Sequence, residues 1–234
     1  VEIKNRFLFV EGAADSIIPV DTVGVKIGLQ LKTDKPLGSK LLTNARIITV
    51  DNNNSVIENG YILIKDNIIT DVGLMTDVWK TNPKADDTID CKGKTIMPGL
   101  VDVHAHLGTF RQGLHPQKHW PYYASLAYGI TTTHDPSSNS EMVFTQSEMV
   151  KYGSMVGPRV FSTGTILYGA DGDFKAVVNN LEDAKSAIRR TKALGAFSVK
   201  SYNQPRREQR QQVIEAAREL NIMVVPEGGS FFYH

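Results

Sequence analysis

The chain has 234 residues, 41% hydrophobic and 22% charged, with 26 basic and 25 acidic side chains for a formal net charge of +1. Together with a mean hydropathy of −0.22, these values describe a globular chain with length for one large domain or two small ones. The balanced charge gives no electrostatic basis for nucleic acid or a membrane surface as a partner. No window approaches the roughly 18 consecutive apolar residues of a membrane span, and the single cysteine, Cys91, excludes an internal disulfide.

The chain begins without Met, at a stretch that reads as the middle of a strand, Arg6-Phe7-Leu8-Phe9-Val10. It is therefore expected to start inside a longer protein, and its localisation stays open. Residues 1–40 read as short strands over 7–10 and 23–31, followed by a polar break. Residues 41–97 read as a small β-sandwich domain. Its apolar runs lie over 45–50, 61–65 and 67–72, separated by Asp51-Asn52-Asn53-Asn54 and Lys65-Asp66-Asn67. Those turn side chains tolerate left-handed backbone and bond their own main chain. Cys91 reads as a small buried apolar residue.

After Pro98-Gly99 the period changes. Strand-like runs over 100–103, 129–133, 159–162, 196–200 and 222–225 alternate with helical stretches, the pattern of parallel βα units. Asn180 is placed to cap one helix, with Glu182 and Asp183 at its positive end and Gly195 closing it. Pro205 fits the first turn of the next helix, whose stripe is Val213, Ile214, Ala217 and Leu220, and Asn221 ends it. Five such units, without Gly-x-Gly-x-x-Gly or a Gly-Lys-Ser/Thr loop, favour an α/β fold. The reading for 98–234 is the first half of a (β/α)8 barrel rather than a doubly wound sheet.

The chemistry concentrates in Pro98-Gly99-Leu100-Val101-Asp102-Val103-His104-Ala105-His106. Residues two apart on a strand share a face, so Asp102, His104 and His106 are expected on the barrel interior and Val101 and Val103 against outer helices. Two imidazoles so placed reach one Zn²⁺ at about 2.0–2.1 Å. A pair of exposed loop histidines is the other reading.

Several motifs occur in order: Thr43-Asn44-Ala45-Arg46-Ile47-Ile48, Ile57-Glu58-Asn59-Gly60, Ile68-Ile69-Thr70-Asp71-Val72-Gly73, and Gly93 through His106. Gly129-Ile130-Thr131-Thr132-Thr133 with Asp135 follows. Over roughly 41–229 the chain resembles the amidohydrolase superfamily, in its imidazolonepropionase- and prolidase-like branch. Within it, the chain is similar to members joined to a TolB- or tricorn-like β-propeller. The resemblance makes 1–40 the linker or tail of a covalently attached propeller. It implies hydrolysis of a C–N bond in a small amide, cyclic amide or dipeptide through a metal-activated water. The cofactor implied is one or two divalent ions, with zinc the expected metal.

By the same resemblance, His104 and His106 are metal ligands. Lys200, in Phe197-Ser198-Val199-Lys200-Ser201-Tyr202, occupies the place of a carboxylated lysine bridging two metals; pairing with a neighbouring carboxylate is its alternative. Where the family carries a histidine after strand five, this chain reads Val224-Val225-Pro226-Glu227. Glu227 is then either a substitute ligand or the ion-pair partner of Lys200, with the second metal lost. The family's general-base aspartate and a further histidine ligand are expected beyond residue 234, and no catalytic residue is assigned within the chain.

His134 is a candidate at the active-site mouth, although it and Asp135 point to opposite faces of a regular strand. His115, His119 and Trp120, with Tyr122 and Tyr123, fall in the loop after strand one, where substrate contacts gather; a packed aromatic loop is the plainer reading. Arg206, Arg207 and Arg210 crowd a helix start, where a dipole disfavours cations, so they call for a carboxylate partner or a solvated face. Two functions stand open: a metal-dependent hydrolase, or a non-catalytic fragment or partner-binding half-barrel. Unpaired strand edges would make the chain associate.

Overall fold

The structure is a computed structural model that describes residues 37–81, 84–108, 118–172 and 175–227. Among these, one mixed sheet is followed by two parallel sheets flanked by helices, an α/β fold. The expected strands before residue 37, and His115, lie outside the described residues.

The first sheet is built around β1 (Ser39–Ile48). It pairs antiparallel with β2 (Val56–Lys65), which pairs antiparallel with β3 (Ile68–Leu74). β4 (Asp87–Asp90) and β5 (Thr95–Ile96) run parallel along the other edge of β1. The turns fall where polar residues can hold left-handed backbone, Asn54 at φ 52° and Asp66 at φ 55°. Asn44, at φ 59°, sits where the β1–β2 register slips between Leu42 and Ala45. One extra residue restores the alternation to the same face. Leu42, Ala45 and Ile47 therefore join one cluster with Ile62 and the buried Cys91. Leu41 and Tyr61 pack on the other face with Val78 of α1 (Met75–Thr81). A second facing sheet is not among the described residues; a short helix covers this module instead.

The parallel part begins with β6 (Leu100–Asp102), β7 (Ile130–Asp135) and β8 (Arg159–Ser162), paired in that order. The other parallel sheet has the order β10 (Lys175–Val177), β9 (Ile166–Tyr168), β11 (Ser198–Ser201) and β12 (Met223–Pro226). Only Thr163-Gly164-Thr165 separates β8 from β9, with Gly164 at φ 63°. A Cβ on Gly164 would lie 2.4 Å from Ser140 Oγ, so the turn demands glycine on both counts. Through it the chain passes from a ladder with β7 to a ladder with β11.

α2 (Trp120–Ala127) and α3 (Ser140–Tyr152) flank the first parallel sheet, where Tyr122, Val143, Met155 and Val160 form a core. α4 (Leu181–Ala193) and α5 (Arg207–Glu219) cover the second, burying Ala184, Ile188, Val213 and Ala217 against Leu167 and Val199. Asn180 caps α4 by accepting from Asp183 N at 2.9 Å, and Gly195 at φ 100° closes it.

Four local expectations are corrected. Pro205 precedes α5, whose first residue is Arg207. The buried stripe of α5 uses Ala216 with Val213 and Ala217 while Ile214 is exposed, because a step of one residue turns the helix about 100°. β6 ends at Asp102, so His104 and His106 lie beyond the strand. Val101 and Val103 are exposed rather than helix-covered, since among the described residues no helix packs closely on β6, whose one described neighbour is β7.

Candidate functional site

Pairing register defines the face of the second parallel sheet that carries the candidate residues. Ala176, Leu167, Val199 and Val224 pack toward the helices, so their neighbours in each strand point the other way. Lys175 pairs with Ile166 and Lys200 with Val225, while Ser201 pairs with Leu167. Lys175, Ile166, Lys200 and Val225 thus form one row on the open face. One pleat further toward the strands' C-terminal ends comes a second row: Val177, Tyr168, Tyr202 and Glu227.

Lys200 is buried to 1% exposure, and its Nζ lies 2.6 Å from Glu227 Oε2. Glu227 is held just past β12 by its own N–H, which donates to Ser201 O at 2.9 Å. The two residues that the sequence left with open roles are therefore partners. A buried lysine without this carboxylate would carry an uncompensated charge.

His134 joins the same face from β7. Its Nδ1 lies 3.3 Å from Val103 O, which can only accept, so Nδ1 carries the hydrogen. Nε2, 2.8 Å from Ser198 Oγ, then accepts the serine hydroxyl. Burial pushes the imidazole below its ordinary value of 6.5. The charges of His104 and Lys200 act in the same direction, while the Val103 carbonyl and Asp135 oppose them. These couplings bring His104, His134 and Lys200 into one electrostatic neighbourhood.

His104 and His106 stand edge to face, with ring centroids 5.0 Å apart. Asp102 Oδ1 accepts His104 N–H at 3.0 Å, bending the chain as it leaves β6. His106 Nδ1 lies 3.0 Å from Oδ1 of the buried Asp135, which also accepts Ser137 N–H at 3.0 Å. Burial raises the Asp135 carboxyl from 3.8, against the opposing pull of those hydrogen bonds. A carboxylate that accepts from Nδ1 leaves Nε2 with its lone pair, the tautomer of a metal-ligating histidine with its supporting carboxylate. The sequence offers Asp135 as part of a motif and as the opposite-facing neighbour of His134, not as a partner of His106. On a regular strand pair it cannot face the site together with His134, and only the bend after Asp102 brings His106 over to it.

The loop candidates separate. His119 is buried, its Nε2 2.8 Å from Leu107 O and its ring 4.5 Å from that of Tyr122. Tyr122 donates to Gln146 Oε1 at 2.7 Å inside the core, and burial raises its phenol well above 10.0. This is the packed aromatic loop. Trp120, 67% exposed, touches Tyr123 at 5.8 Å between ring centroids and has no described contact with the histidines. Arg206 and Arg207 are exposed, the solvated-face reading.

The donor set fits a divalent ion at one pair and not at the other. His104 and His106 offer two imidazole nitrogens with a buried supporting carboxylate. Lys200 and Glu227 satisfy each other, and an ammonium has no lone pair to give. Among the described residues no three His, Cys, Asp or Glu side chains gather closely enough to hold an ion. No described helix is long and apolar enough to cross a membrane.

No family model matches the chain. A 5-methylthioadenosine/S-adenosylhomocysteine deaminase of Halothermothrix orenii is 38% identical over 97 residues, covering 37% of this chain and 22% of that relative. The same-named protein of Bacillus thuringiensis is 42% identical over 64 residues, 27% of this chain and 14% of its own length. Among solved structures, a Xaa-Pro dipeptidase with bound methionine in the active site superposes with a TM-score of 0.60 at 21% identity. That superposition covers 80% of this chain and 56% of the other. An amidohydrolase superposes with a TM-score of 0.59 at 21% identity, over 80% and 55%. The chain thus spans under a quarter of the curated relatives it matches and just over half of these solved structures. The solved structures show that the fold of this chain is similar to theirs, and the two short sequence matches make it similar to those deaminases.

Proposed function

We propose that this chain is part of a metal-dependent hydrolase of C–N bonds in an amide, a cyclic amide or a dipeptide. Residues 98–234 would supply the first half of a (β/α)8 barrel and 41–97 its small β domain. The barrel reading is supported by strand order. β6, β7 and β8 lie in sequence order in one parallel sheet, and β9, β11 and β12 in sequence order in the other, where β10 adds to the outer edge of β9. Deaminases and dipeptidases share the breaking of a C–N bond, and those are the names its relatives and structural neighbours carry.

The observation that carries the reading is the Asp135–His106 hydrogen bond. His104 and His106 would hold one ion, zinc by the chemistry of two imidazole donors. When bound, such an ion lowers the pKa of water toward about 7 and polarises a carbonyl. Asp135 fixes the tautomer and aim of His106. The Lys200–Glu227 pair neutralises itself in the place of a second ion, which makes this a one-ion site. His134, with both ring nitrogens engaged by Val103 and Ser198, lines the mouth as a neutral ring.

The test supplies Zn²⁺, measures bound metal, and assays a panel of amides and Xaa-Pro dipeptides. The expected result is about one retained ion, lost in His104→Ala and His106→Ala, with hydrolysis that follows the ion. Failure to retain zinc would overturn the reading. Retention without turnover would favour the second one, a non-catalytic binding module, which the closed Lys200–Glu227 pair supports.

A further inference from the structure

Lys175 stands on the open face, two strands from Lys200 in the same row. That is about 10 Å by strand spacing. Its Nζ lies 4.3 Å from the ring centroid of Tyr168 and 5.4 Å from that of Tyr202, and the two rings meet edge to face at 5.5 Å. Tyr168 and Tyr202 are the row above, and Glu227 is the next residue along it. The cation is thus laid across two aromatic faces at the C-terminal edge of the strands, beside the Lys200–Glu227 pair. Among the described residues no carboxylate pairs with it.

We propose that Lys175, held by Tyr168 and Tyr202, recognises a carboxylate on the substrate and so selects amides that carry a free carboxyl group over neutral ones. Three features of the geometry support this role. The ammonium is oriented in advance by the two rings, so a ligand that pairs with it loses little of its binding energy to ordering a flexible side chain. Glu227 would repel an incoming carboxylate from the neighbouring position, but Lys200 neutralises it at 2.6 Å. Across the two rows Lys175 is the positive charge left without a salt-bridge partner among the described residues, its Nζ lying against Gly172. An ammonium binds carboxylates as a point charge with three rotatable donors, which suits a small terminal carboxyl of variable approach. The proposal rests on the hydrolase reading for its location, since the open face is the active-site face only if the barrel and its metal pair are as described above.

The test compares binding of two probes, the dipeptide Ala-Pro and its C-terminal amide, to the zinc-supplied chain and to Lys175→Met, by calorimetric titration. The wild-type chain is expected to favour the carboxylate probe by about tenfold or more, the scale of one hydrogen bond to a charged group. That preference should shrink as salt is raised. Lys175→Met should bring the two probes within about twofold by removing the ammonium while leaving amide binding unchanged, and Lys175→Arg should restore most of the preference. A wild-type chain that binds the probes equally, or neither, overturns the proposal. So does a Lys175→Met variant that weakens both alike, since that marks a structural role. Should Lys175→Met not fold by circular dichroism, Lys175→Gln and the wild-type salt series decide. Zinc retention, measured in parallel, separates the two readings. Discrimination without retained zinc would sink the metal-dependent function and keep the carboxylate site. Retained zinc without discrimination would do the reverse.

Discussion

At the scale of single residues, two buried charges organise the site. Lys200 at 1% exposure tolerates its position because Glu227 compensates it. Removing one partner leaves the other stranded, at a cost of about 3–5 kcal/mol, whereas replacing both with apolar groups is close to neutral. Glu227→Gln should therefore lower the urea midpoint strongly, and Lys200→Met with Glu227→Leu should recover most of it. Equal loss in the single and double variants would show that the pair does not hold the strand ends together. Asp135 acts differently, through His106. Asp135→Asn keeps the shape but no longer enforces Nδ1–H, and zinc affinity is expected to fall about 10–100-fold. A chelator-competition titration reads this directly, and unchanged affinity would make Asp135 purely structural. His104, His106, Lys200 and Glu227 stand out in the sequence as candidates because each ends an apolar run at recognisable spacing. The Lys200–Glu227 choice and the role of Asp135 were not, because both depend on which neighbour a side chain meets across the ladder.

At the scale of elements, helix ends were legible and strand ends were less so. Asn180 and Gly195 act through their own main chain, a local effect that a linear pattern carries. The division at Gly164 is non-local, set by where Ser140 and the neighbouring strands lie. Buried Gln209 is similar. It donates to Gly169 O at 2.9 Å and Val178 O at 3.0 Å, tying the start of α5 to loop carbonyls that no periodicity reveals. The first sheet gives a pH prediction. The Ser55 amide, the Ser39 amide and the Asn44 side chain are the leading causes that hold Asp51, Asp86 and Asp90, respectively, below 3.8. A depressed folded-state pKa contributes stability above the unfolded value that disappears as pH falls through the folded one. The sheet should therefore loosen below about pH 3.8, first along the β1–β4 edge where Asp86 accepts both Ser39 N–H and Oγ–H. Hydrogen exchange at Ser39 and Asp86 across an acid series checks this; uniform protection to lower pH would contradict it.

At the scale of the molecule, the two parallel sheets meet where His134 contacts Ser198, and each packs one face against helices, α2 and α3 on the first and α4 and α5 on the second. The flank of β6 exposes Leu100 at 50%, Val101 at 60% and Val103 at 71%, and β6 and β12 are both end strands of their sheets. Unpaired edges beside apolar side chains recruit further chains. The chain as given is expected to self-associate in concentration-dependent light scattering, with Val103→Lys reducing the association. A monomer at all concentrations would refute this.

By itself the sequence determined the α/β alternation, the helix caps and the residue types available for chemistry, since these rest on periodicity, capping and motifs written along the chain. Only the tertiary structure decided how those residues combine. It bent the chain after Asp102 so that His106 meets Asp135, closed Lys200 on Glu227, and laid Lys175 across Tyr168 and Tyr202. The reason is physical: pairing register and burial act between segments far apart in sequence, and they choose the partner of each charge.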